Sequence, residues 1–201
     1  MNRFLKIAGY VLHPILMPLL GVLIYFSVTP RFVDSSFMSA KLIAITIITV
    51  CIPIITFFLL KNLNLIQSIH LKETSERKYP LMIQCLLLLL ILKMVLDPYD
   101  DIELYYFFVG ILFTTLTALF LVFFGFKVSL HQMAIAGVTM FLVGLSVHFK
   151  GNLLGLISLF LIGNGLVATS RLHTDSHSVA ELTIGFFIGV IPQILMLNFW
   201  L

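Results

Sequence analysis

The stretch LLLLLILKMVL, residues 86–96, decides the fold class. A strand of a membrane barrel alternates apolar and polar residues, and this run does not alternate. Five consecutive leucines followed by Ile91 and Leu92 read as one continuous lipid-facing helix. Working outward, further apolar blocks fall at about 5–27, 39–60, 80–96, 102–126, 132–149, 153–169 and 182–200. The last two admit a different split, so the count is six or seven helices. The expected architecture is therefore all-α, a polytopic membrane helical bundle, forming one integral-membrane domain over 1–201.

Composition agrees. Of 201 residues 60% are hydrophobic and 10% charged, 19 are Phe, and the mean hydropathy is +1.12. A water-soluble domain carries roughly 25% charged residues, so this chain lacks the polar surface to coat a soluble enzyme or a nucleic-acid binder. The net charge of +3 is too small to imply a nucleic-acid partner. Cys51 and Cys85 both lie inside apolar runs, which argues against a disulfide framework. The basic start followed by an apolar run resembles a signal peptide. It continues to Phe26 without a small-residue cleavage site, however, and reads as a retained first span. Pro14, Pro18, Pro53 and Pro192 sit within spans and predict kinks.

Seven spans sort the polar segments by parity. One side of the membrane receives the N-terminus, 61–80, 127–131 and 170–181; the other receives 28–38, 97–103, 149–152 and the C-terminus. The first side carries Lys72, Arg77, Lys78, Ser129, His131, Ser170, Arg171, His173, Asp175, His177 and Glu181. The second is acidic and plain, with Asp97, Asp100, Asp101 and Glu103.

The segment SRLHTDSHSVAE, 170–181, carries the chemistry. His177 and Glu181 are four apart and share a face if the segment is helical, within reach of a carboxylate–imidazole bond. Such a bond fixes the tautomer and leaves the second ring nitrogen free as a nucleophile. Arg171 offers a planar fork suited to phosphate oxygens, and Ser170 adds a neutral donor. A zinc site is the alternative, with His173 and His177 at i, i+4 and Asp175 and Glu181 nearby. The plainer reading is a polar interhelical loop whose acid caps a helix.

The order Ser-Arg, five residues, His, three residues, Glu resembles the third signature of the type 2 phosphatidic acid phosphatase superfamily, whose fold is shared with vanadium-dependent haloperoxidases. That signature ends in Asp where this chain has Glu181. The second signature, Pro-Ser-Gly-His, is echoed as Val128-Ser129-Leu130-His131, and the first, Lys-x6-Arg-Pro, by Lys72 and Pro80. Tyr79 stands at the arginine position, with Arg77 two residues earlier as a substitute.

The resemblance implies a lipid phosphate or diphosphate phosphatase that works through phosphohistidine without metal or other cofactor. His177 would be the nucleophile and Glu181 its orienting carboxylate. His131 would protonate the leaving oxygen and later activate water. Lys72, Arg77, Ser129, Ser170 and Arg171 would hold the phosphate. The departures at Tyr79, Leu130 and Glu181 leave a further alternative, a catalytically decayed lipid-binding or transport protein on the same scaffold. The extra methylene of Glu181 is expected to displace the carboxylate and slow the reaction.

The Lys and Arg count is eight on the site side (Arg3, Lys6, Lys61, Lys72, Arg77, Lys78, Lys127, Arg171) against four on the other (Arg31, Lys41, Lys93, Lys150). By the positive-inside rule this points to the cytoplasm. Setting aside Lys72, Arg77, Lys78 and Arg171 as phosphate ligands leaves four against four. Resemblance to bacterial lipid phosphatases then turns the site to the periplasmic face of the inner membrane.

Overall fold

The computed structural model describes residues 2–67 and 74–201. Lys72, assigned above to phosphate, and His70 lie outside the described residues. The helices in chain order are α1 (Asn2–Val11), α2 (Met17–Val28), α3 (Ser35–Thr46), α4 (Ile52–Asn62), α5 (Lys78–Met94), α6 (Ile102–Phe123), α7 (Leu130–His148), α8 (Leu154–His173) and α9 (Val179–Leu197). A π-helical turn, Ile47–Cys51, joins α3 to α4, and a 3-10 turn, Ser75–Arg77, leads into α5. No strand occurs among the described residues.

Among the described residues, five helical segments are long and apolar enough to cross a bilayer: Ser35–Asn62, α6, α7, α8 and α9, with α2 as a shorter apolar helix. The 17 residues of α5 extend about 26 Å at 1.5 Å per residue, close to the hydrocarbon thickness. The protein is a helical membrane bundle. α7 is its axis, with 61% of its apolar window buried against 17–39% in the other long spans. Phe141 of α7 stacks on Phe107 of α6 at 4.1 Å between ring centroids, and Trp200 packs edge-on against Phe141. Exposed Phe58, Phe113, Phe120, Ile162 and Phe187 face outward, where lipid is their solvent.

The prolines act in three ways. Pro192 lies inside α9 and cannot donate to the carbonyl of Ile188 four residues back. Thr114 Oγ1 of α6 donates to that carbonyl instead, at 3.1 Å. Pro53 opens α4 directly after the π-helical turn, which absorbs the missing donor. Pro14 does more: the first apolar block, expected as one span, is broken at 12–16 into α1 and α2.

The tightest helix pair is α7 with α9. A Cβ built on Gly189 would stand 2.2 Å from the Met133 carbonyl oxygen, and one on Gly185 would stand 3.0 Å from that of Ser129. Gly185 and Gly189 are four apart, the spacing by which small residues let membrane helices approach backbone to backbone. That contact runs along the first three turns of α7 and joins its start to the start of α9.

The membrane side expected to be plain is not. Glu103, fully buried, lies 2.7 Å from Arg31 Nη2 and 3.0 Å from His148 Nε2 and accepts a hydrogen bond from the Tyr25 hydroxyl at 3.2 Å. Asp101 pairs with Lys41 at 2.5 Å. Charges at a helix start in low dielectric persist only when paired, and here the pairing clamps α2, α3, α6 and α7 together.

Candidate active site

Four chain segments meet at the opposite end of the bundle: the turn before α5, the start of α7, the connection from α8 to α9, and α1. The α8–α9 connection explains the spacing within 170–181. α8 ends in a Schellman turn: Ser176 N–H donates to Arg171 O at 3.0 Å and Asp175 N–H to Leu172 O at 3.1 Å, with Asp175 left-handed at φ 49°. Ser178 then caps α9. The five residues between Arg171 and His177 are one helix stop and the approach to the next helix start.

His177 stands one residue before that cap, outside the helix, so its pairing with Glu181 is not the shared helical face expected from sequence. Ser178 Oγ accepts from Glu181 N–H at 3.3 Å, and Glu181 Oε2 accepts from Ser178 N–H at 3.3 Å, a reciprocal capping box. The same Oε2 lies 2.6 Å from His177 Nδ1. The plain reading of Glu181 as a capping acid and its reading as the imidazole's partner are therefore both met by one oxygen. The box also accounts for the length of the side chain, because Glu or Gln is the residue that reaches back from the third helical position. The extra methylene is taken up without losing the bond to His177.

The His177 side chain is 6% exposed. Burial, opposed by the bond to Glu181 and assisted by the fields of Arg77 and Lys127, lowers its pKa to about 4. Burial thus favours the uncharged ring, and with Nδ1 turned to Glu181 the nitrogen left for another partner is Nε2.

Arg77 is buried and donates from Nη1 to Val128 O at 2.7 Å, joining the turn before α5 to the start of α7. Tyr79 is 41% exposed, so the guanidinium that turns inward is the one at 77. Lys127 Nζ donates to Ser176 O at 2.9 Å and ties the α6–α7 loop to the α8–α9 connection. Ser129 N–H donates to Glu181 O at 3.4 Å, which brings the His131 and His177 segments together. His131, in the first turn of α7, lies within electrostatic reach of both Arg171 and His177.

The two serines have other duties. Ser129 is fully buried and its Oγ caps α7 by accepting from Gln132 N–H at 3.4 Å. Ser170 is fully buried and its hydroxyl donates to Leu5 O at 2.8 Å, while its oxygen faces Arg171 Nη2 at 3.4 Å. Both serines position their neighbours, Ser129 through its cap on α7 and Ser170 by committing its hydroxyl proton to α1. His173 is exposed at the end of α8 and Asp175 is the turn residue. Among the described residues no three His, Cys, Asp or Glu side chains gather to hold a metal ion. A cavity of about 390 Å³ at the end of α4, lined by Lys61, Asn64, Ile66 and Gln67, contains none of these residues.

Sequence reasoning missed two members. Lys127 was counted only for topology, although its place between two apolar blocks on the site side was a signal. The second is His13, whose ring meets that of His131 edge-on, with centroids 5.1 Å apart. Its sequence context, apolar and ending in proline, carries no mark of a site. Comparison with known protein families, with curated proteins and with solved structures finds no match.

Proposed function

We propose that the protein is a membrane lipid phosphatase that transfers a phosphoryl group to His177 and then to water. One observation carries the reading. A buried imidazole held by a carboxylate, a second imidazole, and Arg77, Lys127 and Arg171 are brought by separate segments to the same end of a membrane bundle. Phosphoryl transfer asks the protein mainly for positioning and for cations around the equatorial oxygens. At a helix end this cluster sits at headgroup depth, with the acyl or prenyl tail left among the spans.

In the first step the His177 Nε2 lone pair attacks phosphorus as the bond to the leaving oxygen breaks, and His131 gives that oxygen its proton. Arrival of the phosphate dianion favours the protonated form of His131 that this step needs. In the second step water attacks phosphorus, His131 takes the water's proton, and the P–N electron pair returns to His177. Phosphate leaves and the enzyme is restored. We read the site as periplasmic in a bacterial inner membrane on the resemblance to bacterial lipid phosphatases, because Lys and Arg outside the cluster divide five to four between the two sides and set no orientation.

The test is a panel of phosphatidate, phosphatidylglycerol phosphate and polyprenyl diphosphate in detergent, with vanadate and EDTA controls. Phosphate release blocked by vanadate and indifferent to EDTA supports the reading, as does an acid-labile phosphoenzyme. Chelator-sensitive hydrolysis, or binding without turnover, would overturn it.

A further inference from the structure

The break in the first apolar block has a local chemistry of its own. When a helix stops, its last four carbonyls lose their intrahelical donors. α1 ends at Val11, so the Gly9 carbonyl, whose intrahelical donor would be the N–H of His13 beyond the helix end, is one of these orphans. His131 lies within reach of it.

Gly9 also gives the Arg171 guanidinium its space against α1. A Cβ there would lie 2.2 Å from Arg171 Nη2 and 3.3 Å from Ser170 Oγ. The Ser170 hydroxyl bonded to Leu5 O fixes the same helix one turn earlier. Within the break, Ile15 N–H donates to His13 Nδ1 at 3.3 Å, which orients the ring that abuts His131. The broken segment thus stands against two groups of the site, against Arg171 at Gly9 and against His131 through the imidazole inside the break.

Resting on the reaction proposed above, we infer that α1 and the break behind it form a wall of the site, and that His13 is a positioning residue for His131. The His13 ring edge holds the plane of the His131 imidazole, so that one ring nitrogen faces the phosphoryl group. It donates to the leaving oxygen when the ring is protonated and accepts from water when it is neutral. His13 limits rotation of the His131 ring about its Cβ–Cγ bond.

The consequence is specific to leaving-group chemistry. An aryl phosphate expels a stable phenolate and does not need protonation in the first step, whereas hydrolysis of the phosphoenzyme needs His131 as a base whatever the substrate. His13→Ala is expected to lower kcat on a lipid phosphate about 10- to 100-fold with KM little changed, the scale of a misplacement near 1 Å. With p-nitrophenyl phosphate the same variant is expected to give a stoichiometric burst of nitrophenolate, followed by slow turnover and accumulated phosphohistidine. His13→Phe keeps a ring edge against His131 and is expected to restore turnover. If His13→Ala does not accumulate, His13→Leu fills similar space without the ring edge and is expected to show the same burst.

Wild-type kinetics in these variants would overturn the inference, as would a loss confined to KM or slow turnover without a burst. Absence of phosphoenzyme and phosphate release in the parent protein would instead remove the reaction on which the inference rests.

Discussion

At the scale of single residues, the site turns on which nitrogen of each imidazole is occupied. His177 Nδ1 is held by Glu181, so Nε2 is the atom available for chemistry. His177→Ala removes the proposed nucleophile and is expected to cost at least about 10³-fold in kcat, measured as phosphate release from detergent-solubilised protein. Glu181→Gln separates the two duties of that side chain. Glutamine still completes a capping box, so the fold is expected to be retained. A neutral amide no longer stabilises the developing positive charge on the ring, and kcat is expected to fall about 10²- to 10⁴-fold. Protonation of His177 removes the attacking lone pair. Because the ring's pKa lies at about 4, the rate of phosphoenzyme formation is expected to hold from neutral pH down to about 5 and to fall as pH drops through 4. Rapid-quench measurement across that range checks it, and the midpoint belongs to the His177–Glu181 pair as a unit.

At the scale of elements, the relation between α7 and α9 places His131 near His177. Gly189 lets the backbones approach, and any side chain there meets the Met133 carbonyl. Gly189→Leu is expected to push the helices apart and to lower stability by about 1–3 kcal/mol, the usual penalty for overpacking. Activity is expected to fall further than the loss of folded protein explains, because the start of α7 moves with the contact. Thermal unfolding in detergent, read beside activity per folded molecule, distinguishes the two effects. The Schellman turn ending α8 and the capping box opening α9 do similar work across six residues, setting Arg171 and His177 on one connection.

At the scale of the whole molecule, the two ends carry different kinds of charge. One gathers cations and imidazoles around a potential anion; the other buries Glu103 among Tyr25, Arg31 and His148. Glu103→Gln leaves these partners without their charge. Since Arg31 is partly exposed and water compensates some of the loss, a decrease of about 1–3 kcal/mol is expected, or several degrees in Tm. The phosphatase reaction at the far end is expected to persist in the folded fraction. Orientation is a whole-molecule property too. A cysteine replacing Thr174, exposed in the α8–α9 connection, is expected to react with a membrane-impermeant maleimide in bacteria whose outer membrane has been permeabilised. Asn152→Cys, at the other end, is expected to stay unlabelled until the inner membrane is opened.

The helical class, the membrane and the side of the bundle holding most reactive groups follow from sequence alone, because hydropathy and span parity depend on local composition. The nearness of His177 and Glu181 is local as well, though it is achieved through a helix cap. Tertiary structure decided what local composition cannot express. Arg77 turns inward while Tyr79 faces out, Lys127 closes onto Ser176, and an apparently continuous first span breaks so that Gly9 and His13 reach a histidine more than a hundred residues away. Those relations depend on how closely distant backbones approach and on which side chains meet across them, quantities that exist only once the helices have packed.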